Sequence, residues 1–276
     1  MSKTLGVWDH AGAPWLRDPA VLAELERLGY ETVWLGGSPA ADLTAAETTL
    51  AASTSIRVAT GIVNVWDGDP DAAAYQRVTG AHPGRFLLGI GVGHPQAVGA
   101  RYTKPYDKLV SYLDGLDDGG VPESGRVLAA LGPRVLRLAR DRAAGAHPYL
   151  TTPEHTAQAR EILGDGKLLV PEQKVVLSTD PAEARAIARG MLDMYLKLTN
   201  YTNAWLRLGF TEADLADGGS DRLVDALVVW GDVDAIRERI AAHWDAGADQ
   251  VAIQVLNQDK MDVVRALAPV PTGTSF

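Results

Sequence analysis

Eight short apolar segments alternate along the chain with eight segments of helical periodicity, and this alternation restricts the fold more than any other feature. Such a pattern is typical of repeated βα units with a parallel sheet. The predicted strands span residues 5–8, 32–35, 56–63, 86–91, 126–130, 146–150, 168–177 and 250–256. The predicted helices span residues 19–28, 43–53, 70–81, 106–116, 133–142, 153–163, 181–197 and 233–246.

A sheet of eight parallel strands can be open or closed, and a length of 276 residues favours closure into a (β/α)8 barrel. We therefore predict one barrel domain over residues 1–276. Residues 198–231 are predicted to form short helices inserted between strands seven and eight, as a lid or a dimer surface. The tail 269–276 is rich in proline, threonine and glycine and is predicted to be a loose terminus.

Local signals support these boundaries. Thr152-Pro153 and Asp180-Pro181 each place a capping side chain before a proline at the first helical position. Glycine follows several predicted helices, as at Gly29, Gly164 and Gly247, where a left-handed residue can end the helix. The start and stop signals therefore agree with the periodicity.

Composition excludes several classes of function. The formal net charge of -9 makes attraction to nucleic acid or to anionic membranes unexpected. The chain has no cysteine, which excludes disulfides, thiolate metal sites and cysteine nucleophiles. The first apolar run is too short for a signal peptide or a membrane span, so we expect a cytoplasmic protein.

In a (β/α)8 barrel, functional groups belong at the carboxyl ends of the strands. That rule selects a small set of segments: Trp8 to His10, Gly36 to Ser38, Asn64 to Trp66, Gly91 to His94, Leu131 to Arg134, and His147 to Tyr149.

The segment Leu131-Gly132-Pro133-Arg134 opens a helix directly after a strand. Free backbone N–H groups and the positive end of the helix dipole would point at the barrel mouth, with a guanidinium beside them. We interpret the segment as a phosphate site. The alternative is a tight turn followed by a solvated arginine.

Other motifs are excluded by their spacing. Gly89-Ile90-Gly91-Val92-Gly93 has G-x-G-x-G spacing and is followed by His94-Pro95, so we reject a dinucleotide fingerprint. No G-x-S-x-G nucleophile elbow is present. The six histidines lack zinc-binding spacing, and no metal site is expected.

Histidines and tryptophans supply the remaining candidates. His82, His155 and His243 lie on or beside helices and are interpreted as structural, whereas His10, His94 and His147 lie at the predicted mouth. Trp8 and Trp66 could form flat apolar walls of a substrate pocket, and Trp34 fits ordinary core packing equally well.

At these residues the chain resembles the luciferase-like monooxygenase superfamily, specifically its F420-dependent oxidoreductases. The resemblance covers nearly the whole chain, and the order and spacing of its segments make it specific. The segments that carry it are Gly29 to Trp34, Ile56 to Ile62, Pro83 to Gly91, Ala130 to Leu136, Trp230 to Ile236 and Ala246 to Val251.

The resemblance implies a barrel, often dimeric, that binds coenzyme F420 at the carboxyl ends of its strands. It implies a cis peptide bond at Gly61-Ile62 that supports the ring. By the same matching, Asn64, Val92 and Gly93 would line the cofactor, and residues 131–135, namely Leu131, Gly132, Pro133, Arg134 and Val135, would hold its phosphate-bearing chain. His94 stands where some members have an acidic residue near the substrate.

One departure matters for mechanism. Where the sugar-phosphate dehydrogenases of the class have an Asp-His pair after strand two, this chain has Gly36-Gly37-Ser38. Their histidine-based mechanism therefore cannot be transferred to this chain.

We expect hydride transfer between C5 of F420 and a small organic substrate. His94 or His10 would relay the proton. The substrate pocket would be formed by Trp8, Trp66 and His147. An alternative function for the same fold is that of an FMN-dependent monooxygenase. Another is a barrel without activity that only binds F420 or a partner protein. A homodimer is expected, and the substrate is not specified by any motif.

Overall fold

The strands of the computed structural model, which describes residues 3–269, correspond to the predicted ones with small shifts at their ends. They are β1 (Thr4–His10), β2 (Thr32–Gly36), β3 (Arg57–Gly61), β4 (Val63–Asn64), β5 (Phe86–Gly91), β6 (Arg126–Leu128), β7 (Gly145–Ala146), β8 (Leu168–Leu169), β9 (Glu172–Leu177), β10 (Val228–Gly231) and β11 (Gln250–Val255). The predicted third and seventh strands are each divided in two. Strand β10 was not predicted.

The helices match the predicted ones with similar accuracy. They are α1 (Pro19–Leu28), α2 (Thr44–Ala51), α3 (Ala72–Ala81), α4 (Pro95–Val98), α5 (Pro105–Asp118), α6 (Pro133–Arg142), α7 (Pro153–Leu163), α8 (Pro181–Tyr195), α9 (Thr199–Arg207), α10 (Glu212–Leu215), α11 (Asp221–Leu227), α12 (Val233–Asp245) and α13 (Lys260–Leu267). Short 3-10 helices span Pro14–Arg17, Gly99–Arg101 and Glu123–Gly125. Helices α4 and α13 are additions to the prediction.

The named strands pair in parallel and the sheet closes on itself. Its order is β10-β9-β11-β1-β2-β3-β5-β6-β7-β8, with β4 beside β5. Closure occurs at one stretch of chain, because β8 pairs with β7 and β9, only two residues further on, pairs with β11. The result is the predicted (β/α)8 barrel. Strand β10 lies outside this ring, on the far side of β9.

Capping explains several helix boundaries. The Asp180 carboxylate accepts hydrogen bonds from the backbone N–H groups of Ala182 and Glu183, as the sequence predicted. Gly29 ends α1 with a φ of 87°, in the left-handed region. The prediction for Thr152 was wrong, since its side chain makes no capping bond at α7.

The stretch between β9 and β11 contains the predicted helical insertion, formed by α9, α10 and α11. It packs on α8 through a second apolar cluster that includes Trp205, Leu192 and Leu227. Trp205 Nε1 donates to the backbone carbonyl of Leu150, 3.1 Å away, and this bond ties α9 to the barrel end after β7. From residue 270 onward, the predicted tail lies outside the described residues.

Candidate active site at the carboxyl ends of the barrel strands

A cavity of about 510 Å³ opens at the carboxyl ends of the strands, where the sequence placed the functional residues. The barrel loops form its floor, and α8 and α9 form one wall. It is lined by Trp8, His10, Gly37, Ser38, Gly61, Ile62, Val92, Gly93, His94, Ala129, Ala130, Leu131, Gly132, Val135, His147, Tyr149, Met194, Tyr195, Asn200, Tyr201, Asn203 and Arg207.

Glycines at the ends of β2 and β3 make room for the Trp8 indole. A Cβ atom at Gly36 would lie 1.9 Å from Trp8 Cζ2, and one at Gly61 would lie 2.7 Å from Trp8 Nε1. Gly37 has a φ of 74°, and a Cβ atom there would lie 2.5 Å from the His10 Nδ1 atom. Side chains from β1 therefore fill the space above the end of β2, which explains why no Asp-His pair fits there.

The floor between β3 and β5 is formed by Gly61, Ile62, Val92 and Gly93, which line the cavity. The peptide bond Gly61-Ile62 is cis, as the resemblance implied. A Cβ atom at Gly91 would lie 2.8 Å from the Ile62 side chain, and one at Gly93 would lie 2.8 Å from Asn64 Nδ2. Asn64 thus lies directly behind Gly93 and supports the floor without lining the cavity.

The amino terminus of α6 faces the same cavity. Gly132 occupies the N-cap position without a side chain to cap the helix, and Pro133 follows it. The Arg134 guanidinium lies 3.6 Å above the centre of the Tyr106 ring, outside the cavity lining. The guanidinium near the helix terminus belongs to Arg207 of α9, whose Nη2 is 3.8 Å from a Cβ atom built on Gly132.

His94, at the end of β5, is held by the insertion. Its Nδ1 lies 3.1 Å from Asn200 Oδ1, and its ring centre lies 5.3 Å from that of Tyr201. Burial lowers the pKa of His94, so the ring is neutral near pH 7. Since Nδ1 donates to Asn200, Nε2 is left as a hydrogen-bond acceptor.

His147 is buried beneath the floor and stacks on Trp34, with ring centres 4.0 Å apart. Its Nδ1 donates to the carbonyl of Val170 at 2.7 Å, and burial lowers its pKa to about 4. His147 Nε2 and Trp8 Nε1 are buried without a hydrogen-bond partner among residues 3–269. An unpaired acceptor and an unpaired donor therefore lie together near Gly61.

Tyr149, which follows β7, joins Tyr195 of α8 and Tyr201 of α9 in one wall of the cavity. The Tyr149 hydroxyl donates to Gln254 Oε1 and lies 2.9 Å from the Tyr195 hydroxyl. Behind this pair, the Lys174 ammonium group lies 3.9 Å from the centre of the Tyr149 ring. Lys174 also forms a fully buried ion pair with Glu172 at 3.0 Å. The wall is therefore fixed from inside the barrel.

Comparisons with known proteins agree with the barrel fold described above. The sequence profile of the luciferase-like monooxygenase family matches residues 2–117. This part of the chain is therefore similar to the luciferase-like monooxygenase family. A candidate coenzyme F420-dependent oxidoreductase of Mycobacterium tuberculosis is 24% identical over 339 aligned positions, covering 96% of each chain.

Solved structures share the fold of this chain. An F420-dependent secondary alcohol dehydrogenase, in complex with an F420-acetone adduct, superposes with a TM-score of 0.71 at 11% identity and covers 98% of this chain and 100% of its own. The coenzyme F420-dependent tetrahydromethanopterin reductase from Methanopyrus kandleri gives a TM-score of 0.67 at 14% identity, with 97% and 98% covered.

The barrel brings most of the predicted site residues together. Both catalytic candidates, His10 and His94, line the cavity, as do seven of the ten candidates for cofactor binding. Asn64, Pro133 and Arg134 do not. Trp66 also lies outside the lining, because its Nε1 donates to the carbonyl of Val92 and its ring packs beside Tyr102.

Sequence reasoning missed the wall contributed by α8 and α9. Asn200, Asn203 and Arg207 are spaced so that they share one face of α9, and this spacing was the available signal. It did not identify a site, because a polar helix face is most often solvent-exposed.

The described residues contain neither a metal-binding group nor a membrane-spanning helix. No group of three or more His, Asp or Glu side chains suited to a metal ion occurs within residues 3–269. Over the same span, each helix is too short or too polar to cross a bilayer.

Proposed function

We propose that this chain is an oxidoreductase that binds coenzyme F420 and transfers a hydride between C5 of the deazaflavin and a small organic substrate. The observation that carries the proposal is one continuous cavity that runs from the floor at Gly61-Ile62 to the amino terminus of α6. The F420-dependent activity named for the mycobacterial relative supports the same assignment.

The residues present fit such a cofactor. A planar ring system would lie along the backbone of Gly61 and Gly93, two positions of the cavity lining that carry no side chain of their own. The phosphate would take the other end of the cavity, where the positive end of the α6 dipole and the Arg207 guanidinium supply positive charge.

When bound, a deazaflavin supplies the two-electron redox chemistry as a hydride donor or acceptor. The chain's own residues orient the reactants and control water and protons. Within the wall of Tyr149, Tyr195 and Tyr201, the last two are buried and Tyr149 is half-buried, which limits access of water from this side. Neutral His94 offers an acceptor at Nε2, fixed by its bond to Asn200.

The proposal is tested by fluorescence titration of the purified chain with F420 and, separately, with FMN. Tighter binding of F420 is expected. Equal or tighter binding of FMN would contradict the cofactor assignment and favour the FMN-dependent monooxygenase, which consumption of oxygen with reduced FMN would then identify.

A second titration tests the phosphate end with the deazaflavin riboside that lacks the phosphate. We expect Arg207→Ala to weaken F420 binding about tenfold, the loss of one charge-assisted contact, and to leave riboside binding unchanged. Arg134→Ala is the matched control, because Arg134 belongs to α6 but stacks on Tyr106. If Arg134→Ala weakened F420 binding more than Arg207→Ala did, the result would favour the phosphate site expected from the sequence.

The homodimer expected from the resemblance stays a prediction.

A further inference from the structure

The hydroxyl of Tyr201 differs from those of its two neighbours in the cavity wall. Gln254 Oε1 can only accept, so Tyr149 donates to it and Tyr195 in turn donates to the Tyr149 oxygen. Tyr201 is 6% exposed, lines the cavity, and its hydroxyl has no hydrogen-bond partner within residues 3–269. The Tyr201 O–H is therefore free to donate to a ligand in the cavity, where such a bond would replace one to water.

The Tyr201 ring is held firmly. It lies edge-on to Tyr195, with ring centres 5.1 Å apart, and stacks near Trp205 at 6.0 Å. Trp205 is anchored by its bond to the Leu150 carbonyl. The neighbouring residue Asn200 holds His94, so one turn of α9 positions both a phenol and an imidazole at the cavity. Such fixed geometry is what a group that acts on substrate requires.

The two side chains have complementary roles. Burial raises the pKa of Tyr201 well above its usual range, and the nearby Tyr195 and Glu172 act in the same direction, so the phenol stays protonated near pH 7. His94 is neutral and its Nδ1 proton is bound to Asn200. In this part of the wall, the transferable proton that faces the cavity is therefore that of Tyr201.

We propose that Tyr201 is a catalytic residue that binds the carbonyl oxygen of the substrate and supplies its proton, which makes small ketones or aldehydes and the matching alcohols the substrate class. This inference rests on the proposed function, because it needs a reduced deazaflavin as the source of hydride.

The step balances in both directions. During reduction, the carbonyl carbon gains a hydride with two electrons from the reduced cofactor, and the π electrons of the C=O bond move to oxygen. The Tyr201 O–H bond breaks, its proton passes to that oxygen, and water at the cavity mouth reprotonates the phenolate. Alcohol oxidation runs the same steps in reverse, with the proton returning to Tyr201.

The test uses acetone labelled with carbon-13 at its carbonyl as the probe, observed by NMR with and without bound F420. Donation of a hydrogen bond to the carbonyl moves its signal downfield. We expect a saturable downfield shift with the unmodified chain. Tyr201→Phe should abolish the shift and weaken acetone binding about fivefold, as expected for one neutral hydrogen bond.

Two further proteins separate donation from packing. Tyr195→Phe removes a hydroxyl that is already paired and should keep the shift. Replacement of Tyr201 by 3,5-difluorotyrosine keeps the ring but makes the phenol more acidic, and it should increase the shift. A purely structural role for Tyr201 would not respond to phenol acidity.

The inference is overturned if the unmodified chain gives no saturable shift, or if Tyr201→Phe keeps it. Failure of the proposed function is distinguishable, because F420 binding is measured separately by fluorescence. A chain that does not bind F420 but shows the Tyr201-dependent shift without cofactor would retain the carbonyl site and lose the cofactor assignment.

Discussion

Removal of the buried ammonium group of Lys174 gives the sharpest test of how the cavity wall is held. Lys174 and Glu172 are both fully buried inside the barrel, with Nζ 3.0 Å from Oε1 of Glu172. Lys174 also donates to Gln254 Oε1 at 2.7 Å, the same atom that accepts the Tyr149 hydroxyl. Lys174→Met keeps similar volume but leaves the Glu172 carboxylate without its counter-charge.

The expected cost follows from the burial of the remaining charge. Breaking a buried ion pair by removing one partner lowers the free energy of unfolding by about 3 to 5 kcal/mol. For a chain of this length, each 1 kcal/mol lowers the melting temperature by about 2 to 4 °C, so Lys174→Met should melt roughly 10 °C lower. The exposed pair of Lys197 and Asp193 provides a control, since Lys197→Met should cost less than about 0.5 kcal/mol.

The cost should depend on pH with a defined sign. Burial raises the pKa of Glu172, and removal of Lys174 takes away the main attraction that opposes this shift. A carboxyl whose folded pKa is raised contributes stability below its unfolded pKa, and that stability is lost as pH rises through the folded value. Lys174→Met should therefore lose less stability, relative to the unmodified chain, near pH 4.5 than near pH 7.5.

The assay is urea denaturation followed by circular dichroism at both pH values, with the double variant Lys174→Met, Glu172→Gln included. The glutamine at 172 can still accept the bond from the Leu150 N–H, and the double variant should recover most of the loss. A single variant that loses less than about 1 kcal/mol at pH 7.5, or a loss that is equal at both pH values, would refute the reasoning.

Two further predictions follow from buried groups near the floor. Burial holds the pKa of His147 at about 4, below the usual 6.5, so its contribution to stability is present above pH 6.5 and is lost as pH falls through about 4. The variant His147→Phe should therefore show a smaller fall in unfolding free energy between pH 7 and pH 4, by roughly 3 kcal/mol in denaturant titrations, and an unchanged fall would contradict the assignment. Gly36→Ala places a Cβ atom against the Trp8 indole and should destabilise the chain by about 1 to 3 kcal/mol in thermal melts, whereas the control Gly80→Ala, in open space on α3, should be neutral or stabilising.

The alternation of apolar segments with segments of helical period determines most of the barrel. Each predicted helix and strand is present, because a period near 3.6 or a short β-branched run leaves few alternatives in a βα repeat. The sequence did not predict β10, which is short, or α13, which lies near the end of the chain. Strand β10 has four residues, too few to distinguish a strand from the end of a helix, and α13 follows the last predicted strand.

The sequence by itself also determined which strand ends carry the site, because parallel strands of a barrel all end at one face. It identified His10, His94, His147 and the opening of α6, and the resemblance added the cis bond at Gly61-Ile62. These are local features, fixed by a strand end, a helix start or a motif.

Only the tertiary structure decided how the alternating segments become a cavity. Trp8 fills the space above Gly36, and α9 brings Tyr201 and Arg207 over loops more than fifty residues away along the chain. Arg207, rather than Arg134, approaches the α6 terminus, since Arg134 stacks on Tyr106 instead. No period or spacing encodes such contacts, because they depend on packing between elements that are distant in sequence.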